Sequence, residues 1–439
     1  MPILVPIINF EPQSGDRKKE AEAFISRHVV RDFTDDPKVK EVSEAIVWDV
    51  RERGDAAVLE YTKKHDKADL TAATLKVTDA ELKEAADNVP DEYKNIIKRA
   101  IRRIRRYHEK QRQNSWFDTS KPGEILGQLI TPLDSVGVYV PNGTAPLPSS
   151  LLMEVVPAKV ADVGRIIMTT PPNEDGKVPP VLLYAAAEAG VDEIYKIGGA
   201  QAIAALAFGT ETVPKVDKIV GPGSIYVIMA KRAVFGYVGI DSMAGPSDIA
   251  IAADNNANPA YVAADMLSQA EHDERAAAIL VTTSQTLAEA VQEQLVIQTN
   301  RLNRREIIKK SLNGKGLIIL ADDEKNMFHL INAIAAEHLE ICTADPFEKL
   351  TYIKHAGAIF LGNYTTEPLG DYMAGPSHIL PTEGTARFFS PVSVDDFIKK
   401  SSVLSFSREA MERLQDDVAA FARSEGLDAH AAAIEIRKG

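Results

Sequence analysis

Cysteine is nearly missing from this chain. Among 439 residues only Cys342 carries a thiol. A single thiol excludes an internal disulfide and a cysteine-built zinc site, and it fits a reducing compartment. Long apolar runs are missing as well: none reaches the roughly 18–20 residues that span a bilayer. The opening, MPILVPIINFEPQSGDRKKE, has no basic segment ahead of its apolar residues and does not read as a secretory signal. These features point to a cytoplasmic protein with no membrane partner. Positive charge is in deficit: 50 Lys and Arg stand against 63 Asp and Glu, a net −13 that opposes nucleic acid binding through the overall field. The 26 glycines and 24 prolines are spread along the chain, so no long flexible linker is evident. No G-x-G-x-x-G follows any candidate strand.

What is present is an alternation. From about residue 135, short β-branched runs end in Gly, Pro or Asn and lead into Ala/Leu-rich helical stretches. The candidate strands are VGVYVP (136–141), RIIMTTP (165–171), DEIYKIG (192–198) and DKIVG (217–221). The pattern restarts at DIAIAAD (248–254) and continues through AAAILVTTS, GLIILADD, HLEICTAD and AIFLG (358–362). Strand–helix alternation of this kind means parallel sheets covered on both faces. The expected fold class is α/β: two Rossmann-like parallel-sheet units with a helical N-terminal segment and a helical C-terminal tail. One stretch cuts against the acidic balance, KNIIKRAIRRIRRYHEKQRQ (94–113). Ile97, Ile101, Ile104 and Tyr107 share one helical face there. Its basic side chains read as a solvated face, with anion binding the sharper alternative. The glycine loops KIGGAQ (196–201) and VGPGS (220–224) can bring backbone N–H groups to a phosphate, but tight strand-to-helix turns need glycine anyway.

The triplet Ala-Glu-His occurs twice. The first ends NPAYVAADMLSQAEHD, an amphipathic helix in which Gln269 and His272 are three apart and share a face near its C-terminal end. Both can ligate a divalent metal; a capping Gln and a surface His fit the spacing equally well. The second, Glu337 and His338 in NAIAAEHLEICTAD, sits where a helix yields to a strand. An exposed Glu and His there suit proton transfer, because α/β enzymes bind ligands in crevices at strand ends; a solvated turn is the plainer reading. Two later stretches add donors: Asp371 and His378 in LGDYMAGPSHILPT (369–382), and Glu425 and His430 in EGLDAH (425–430). Gln269, His272, Asp371 and His430 together would give nitrogen and oxygen ligation suited to zinc. Spacing alone does not assemble those four.

In sequence this chain resembles the histidinol dehydrogenase family. The resemblance runs from about residue 35 onward, through GVYVPNGTAPLPSSLLMEVVPAKVADV, KIGGAQAIAALAFGTETVPKVDKIVGPG, GIDSMAGPSDIAIAAD, AADMLSQAEHD, EHLEI, GDYMAGPSHILPTEGTARFFS and EGLDAH. It implies oxidation of L-histidinol to L-histidine through histidinaldehyde, at the end of histidine biosynthesis, with two NAD and one zinc ion. It implies zinc ligands at Gln269, His272, Asp371 and His430, and an acid/base pair at Glu337 and His338. Substrate contacts would fall on Ser247, His378 and Glu425, with the zinc ligands and His338 also touching substrate. Nucleotide contacts would fall on Tyr139, Gln201 and Ser224. It further implies a homodimer with shared active sites, whose terminal segment brings Glu425 and His430 to the other subunit. No thioester is required, so Cys342 receives no role. The division expected for the chain is an arm over 1–33, a discontinuous first α/β domain over 34–131 plus 245–389, a nucleotide-binding domain over 132–244, and a tail over 390–439.

The chain departs from the family pattern at four places. Ser224 stands where Asn is usual, Ser377 replaces Asn in AGPSH, Asn142 replaces Gly, and Ala336 replaces Pro. A serine donates one hydrogen bond where an amide donates two. Two other readings compete: a related zinc and NAD dehydrogenase of another polar alcohol, such as a sulfonated diol, and a catalytically silent metal-binding protein. Retention of Glu425 and His378 opposes the first. The set of four donors with Glu337 and His338 opposes the second.

Overall fold

The computed structural model describes residues 3–13, 15–29, 36–142, 146–243 and 245–437. The expected boundary at 33/34 and residue 244 lie outside the described residues. The chain forms two compact units, one built from 1–111 and 134–397, the other from 112–133 and 398–439.

The larger unit carries two parallel sheets. Among the described residues the first has six strands, ordered Ile7–Phe10, Gly316–Ala321, Ala277–Thr282, Asp248–Ala253, His338–Cys342 and Ala358–Leu361. Every neighbouring pair is parallel. Asp248–Ala253 is buried along its whole length. Burial on both faces is what makes such strands continuous apolar runs, and hence legible. The second sheet has five, ordered Glu193–Lys196, Arg165–Thr170, Ser135–Tyr139, Lys218–Val220 and Gly239–Ile240, again all parallel. Its strand order reverses between Ser135–Tyr139 and Lys218–Val220. In open α/β sheets the carboxyl ends at such a switch point form the ligand crevice.

The packing differs from the expected division in two places. Residues 1–33 were expected as an arm, yet Ile7–Phe10 is an edge strand beside Gly316–Ala321. Phe10 shares a core with Phe24 and Ile25 of the helix Arg17–His28. The helices Pro37–Arg53 and Asp55–His65 were grouped with the sheet of residues 245–389. They cover the five-stranded sheet instead: Ile46, Val47, Val50 and Val58 share a core with Tyr139, Ile167, Tyr195 and Ile203.

The smaller unit is an antiparallel sheet ordered Ile398–Phe406, Glu124–Pro132 and Trp116–Asp118, with helices Arg408–Ser424 and Asp428–Glu435. The tail, expected to be helical, therefore includes a strand. IKKSSVLSF has no clean apolar alternation, and most of its side chains are exposed, so its strand character rests on pairing with Glu124–Pro132.

Candidate active site

The site assembles at the amino edge of the six-stranded sheet. Glu337 immediately precedes the strand His338–Cys342, and Asp248 opens the neighbouring strand. The helix Pro259–Ala270 follows that neighbour and runs back along the sheet, so its C-terminal end, with Gln269 and then His272, returns to the same edge. The rule for α/β sheets places ligands beyond the carboxyl ends; Glu337 and His338, the expected acid/base pair, are at the opposite end.

Glu337 and His338 are buried, not exposed as the local sequence suggested: they keep 5% and 4% of their surface. Asp248 brackets them. Its N–H donates to Glu337 Oε2 at 3.1 Å, and its carboxylate accepts the Glu337 and Glu383 N–H groups. Burial pushes the Glu337 carboxyl well above the usual range; the charges of Asp248 and Asp371 add to this, and the Ser247 hydroxyl pulls the other way. His338 Nδ1 lies 3.3 Å from the Asp248 carbonyl oxygen. An Nδ1–H donated there leaves Nε2 with the lone pair. Nε2 is buried with no hydrogen-bond partner among the described residues. Burial holds the ring down to about 4, so it is neutral at pH 7.

Candidate metal donors gather beside this pair. Asp371 lies in a π turn, Gly370–Ala374, where the sequence read as a loop; single π turns are frequent at functional sites. Its Oδ1 is 3.9 Å from His338 Nε2 and 3.4 Å from His378 Nδ1. One ligand atom each from His272, Glu367 and Asp371 lies within 4.8 Å of the others. Gln269 is fully buried, and neither atom of its amide finds a partner among the described residues. That excludes a capping role and leaves a donor to be satisfied. Nitrogen and oxygen atoms so grouped fit a divalent ion such as zinc. Burial and the Asp371 charge push Glu367 up to about 8, and Ser268 Oγ donates to it at 2.9 Å. For Asp371 burial alone would raise the carboxyl, but the bond to His378 and the nearby imidazoles outweigh it and hold it low.

The turn carrying Asp371 leans on the basic helix Asp91–His108. Arg103 Nε donates to the Met373 carbonyl, and Gly375, at φ +116°, sits where a Cβ would come 2.8 Å from the Arg103 carbonyl oxygen. His378 is held by the Asp371 carbonyl at 3.1 Å and Ser150 Oγ at 3.2 Å. Ser150 belongs to the helix Pro148–Val160, which leaves the carboxyl edge of the five-stranded sheet. The carboxyl edge of one sheet thus meets the amino edge of the other.

Among the residues expected to contact nucleotide, Tyr139 closes the central strand of that sheet, and its hydroxyl accepts the Gly199 N–H at 3.2 Å. Gln201 is 1% exposed, with Nε2 unpartnered among the described residues. Ser224 is exposed at the amino end of the helix Ile225–Val234. The loop before it is anchored from below: Gly221 donates to Asp241 Oδ2 at 2.8 Å, and Lys231 Nζ bonds both the Gly221 carbonyl and the Asp241 carboxylate. Glu425 and His430 lie in the smaller unit, both exposed, at the end of Arg408–Ser424 and within Asp428–Glu435. Sequence reasoning missed Asp248, Ser150 and Glu367. Only Glu367 left a signal, an acid one helical turn before Asp371.

A buried neutral imidazole and a carboxyl of raised pKa, beside nitrogen and oxygen atoms able to hold a metal and facing the switch point of a parallel sheet, define an α/β protein with the groups for proton transfer at a candidate metal site. A family model described as histidinol dehydrogenase matches residues 30–438. A histidinol dehydrogenase of Clostridium acetobutylicum is 51% identical over 422 residues, 96% of this chain and 97% of that protein. One from Bacillus licheniformis is 55% identical over 392 residues, 89% and 92% of the two chains. The crystal structure of histidinol dehydrogenase from Elizabethkingia anophelis superposes with a TM-score of 0.91 at 35% identity, covering 99% of this chain and 98% of that one. The chain belongs to the histidinol dehydrogenase family, which makes it an oxidoreductase of histidine biosynthesis.

Proposed function

We propose that this enzyme oxidises L-histidinol to L-histidine through histidinaldehyde, in four electrons, using NAD and zinc. The observation that carries the reading is His338: a buried neutral imidazole with Nε2 unpartnered among the described residues, beside Glu337 and the metal donors. Gln269, His272, Asp371 and His430 would hold zinc, which supplies a Lewis-acid anchor for the substrate's imidazole and amine. Tyr139, Gln201 and Ser224 would hold NAD, which supplies the hydride acceptor for both oxidations. His338 Nε2 takes the hydroxyl proton in the first oxidation. Asp248, by accepting from Nδ1, leaves Nε2 as the nitrogen with the lone pair. Glu337, in its ionised form, takes a proton from the water that attacks the aldehyde. Ser247, His378 and Glu425 complete the substrate pocket, and Glu425 selects the imidazole ring by accepting from it.

A homodimer with shared sites goes with this reading. The smaller unit exposes Leu404 by 66% and Phe421 by 70%, and Phe406, Leu414 and Val418 line a groove of about 590 Å³ on it. Apolar surface of that extent on one small unit favours a partner subunit, and Glu425 and His430 ride on the same unit. The test is stoichiometry: limiting histidinol with excess NAD should yield two NADH per histidinol, with histidine as product. One NADH per histidinol, with aldehyde accumulating, overturns the four-electron reading.

A further inference from the structure

The carboxylate of Asp66 lies against the KIGGAQ loop. Asp66 ends the helix Asp55–His65, and Lys67 follows it at φ +58°, a left-handed position where glycine is usual. Asp66 Oδ1 lies 3.0 Å from where a Gly198 Cβ would stand, and the Gly198 backbone favours the charged carboxylate. Oδ2 is buried with no partner among the described residues. Lys67, the adjacent cation, is turned outward to Glu174 at 2.9 Å. Burial raises Asp66 to about 6, consistent with a carboxylate lacking a counter-ion.

The consequence concerns the helix Gly199–Phe208. The amino end of such a helix ordinarily attracts a phosphate through its free N–H groups. Here the protein itself occupies that end: the Tyr139 hydroxyl accepts the Gly199 N–H, and the Asp66 carboxylate stands beside Gly198. The loop still faces a ligand: Gln201, 1% exposed, carries an unpartnered amide nitrogen, and its Oε1 is 2.7 Å from the Gly199 Cβ position. A second phosphate arriving here would meet a fixed negative charge, not a cradle.

The site's geography says which end of the nucleotide comes here. Ser150, which touches His378, follows the central strand Ser135–Tyr139. Gly198 follows Glu193–Lys196, the edge strand two places away, or roughly 10 Å at the usual strand spacing. With the reacting nicotinamide near His378 and His338, the edge-strand loop takes the adenosine end. We propose that Asp66 is the cofactor-specificity residue: it fills the anion position at the amino end of the helix Gly199–Phe208, so that the loop accepts the uncharged adenosine ribose of NAD and rejects the 2′-phosphate of NADP. This rests on the reading that Tyr139 and Gln201 face the nucleotide.

The test measures binding of NAD and NADP by calorimetry to the intact enzyme, wild type and Asp66→Asn, with steady-state kinetics alongside. Asp66→Asn should shift the NADP-to-NAD affinity ratio toward NADP by roughly tenfold or more, since like-charge juxtaposition is strongly unfavourable, while the KM for histidinol stays put. Asp66→Ser, which keeps a polar side chain beside Gly198, is the second variant if the first is unstable, with the same expectation. Gln201→Ala separates the two levels. If it weakens both nucleotides while the Asp66 variants leave their ratio unchanged, the specificity role falls and the nucleotide site stands. If Gln201→Ala leaves both affinities unchanged, the nucleotide site itself is misassigned and the role of Asp66 falls with it.

Discussion

Glu337→Gln separates the two half-reactions. Gln keeps the shape of Glu and an oxygen to accept the Asp248 N–H, which donates to Oε2 at 3.1 Å. His338 is anchored by the Asp248 carbonyl and not by Glu337, so its orientation survives. The amide also removes a carboxyl whose charged form is opposed by burial and by Asp248, so the fold should be no less stable. What disappears is a base for water. General-base catalysis contributes about 10²–10⁴-fold, which corresponds to about 3–5.5 kcal/mol of barrier. Aldehyde oxidation should slow by that factor, and alcohol oxidation by less than about tenfold. Stopped-flow absorbance of NADH from histidinol should then show a burst of one NADH per site followed by a slow phase, and histidinaldehyde should give the slow phase alone. Equal losses with histidinol and histidinaldehyde would refute the division of labour between Glu337 and His338.

Three further outcomes follow from buried groups and from the tail. Lys231→Met leaves the Asp241 carboxylate buried without its cation, in an ion pair whose side chains are each 2% exposed; such a loss costs about 3–5 kcal/mol, read as a lower urea midpoint, and an unchanged midpoint contradicts the pairing. Burial lowers His108 to about 4, below its unfolded value near 6.5. The unfolded chain therefore binds the extra proton between these values, and stability falls as pH drops through that window. His108→Phe should flatten the urea midpoint against pH between 6.5 and 5, whereas a slope identical to wild type removes His108 as the cause. Mixing inactive His272→Ala and His430→Ala chains should restore roughly a quarter of full activity if the tail crosses between subunits and the two sites act independently; no recovery after confirmed subunit exchange places His430 in its own chain's site.

Most strands of the two parallel sheets were legible because burial on two faces leaves little but β-branched and alanine residues, as in DIAIAA and AAILVT. Ile7–Phe10 and Ile398–Phe406 were not, since edge and exposed strands depend on a partner distant in sequence. The two Ala-Glu-His triplets were separable by context: one ends a helix, the other opens a strand. Their burial was not visible, because Asp248, which brackets Glu337, lies 89 residues away along the chain. Ser150 joins the site only because a helix leaving one sheet ends against a loop leaving the other, which no local pattern encodes.

The zinc K-edge absorption spectrum of the purified holoenzyme bears most directly on the site. Because Cys342 is the single cysteine, sulfur in the first shell would be diagnostic. The spectrum should fit nitrogen and oxygen alone at about 2.0–2.2 Å, and His272→Ala should lose the edge with the activity. A sulfur scatterer near 2.3 Å, or an unchanged edge in His272→Ala, would contradict a zinc centre built on Gln269, His272 and Asp371.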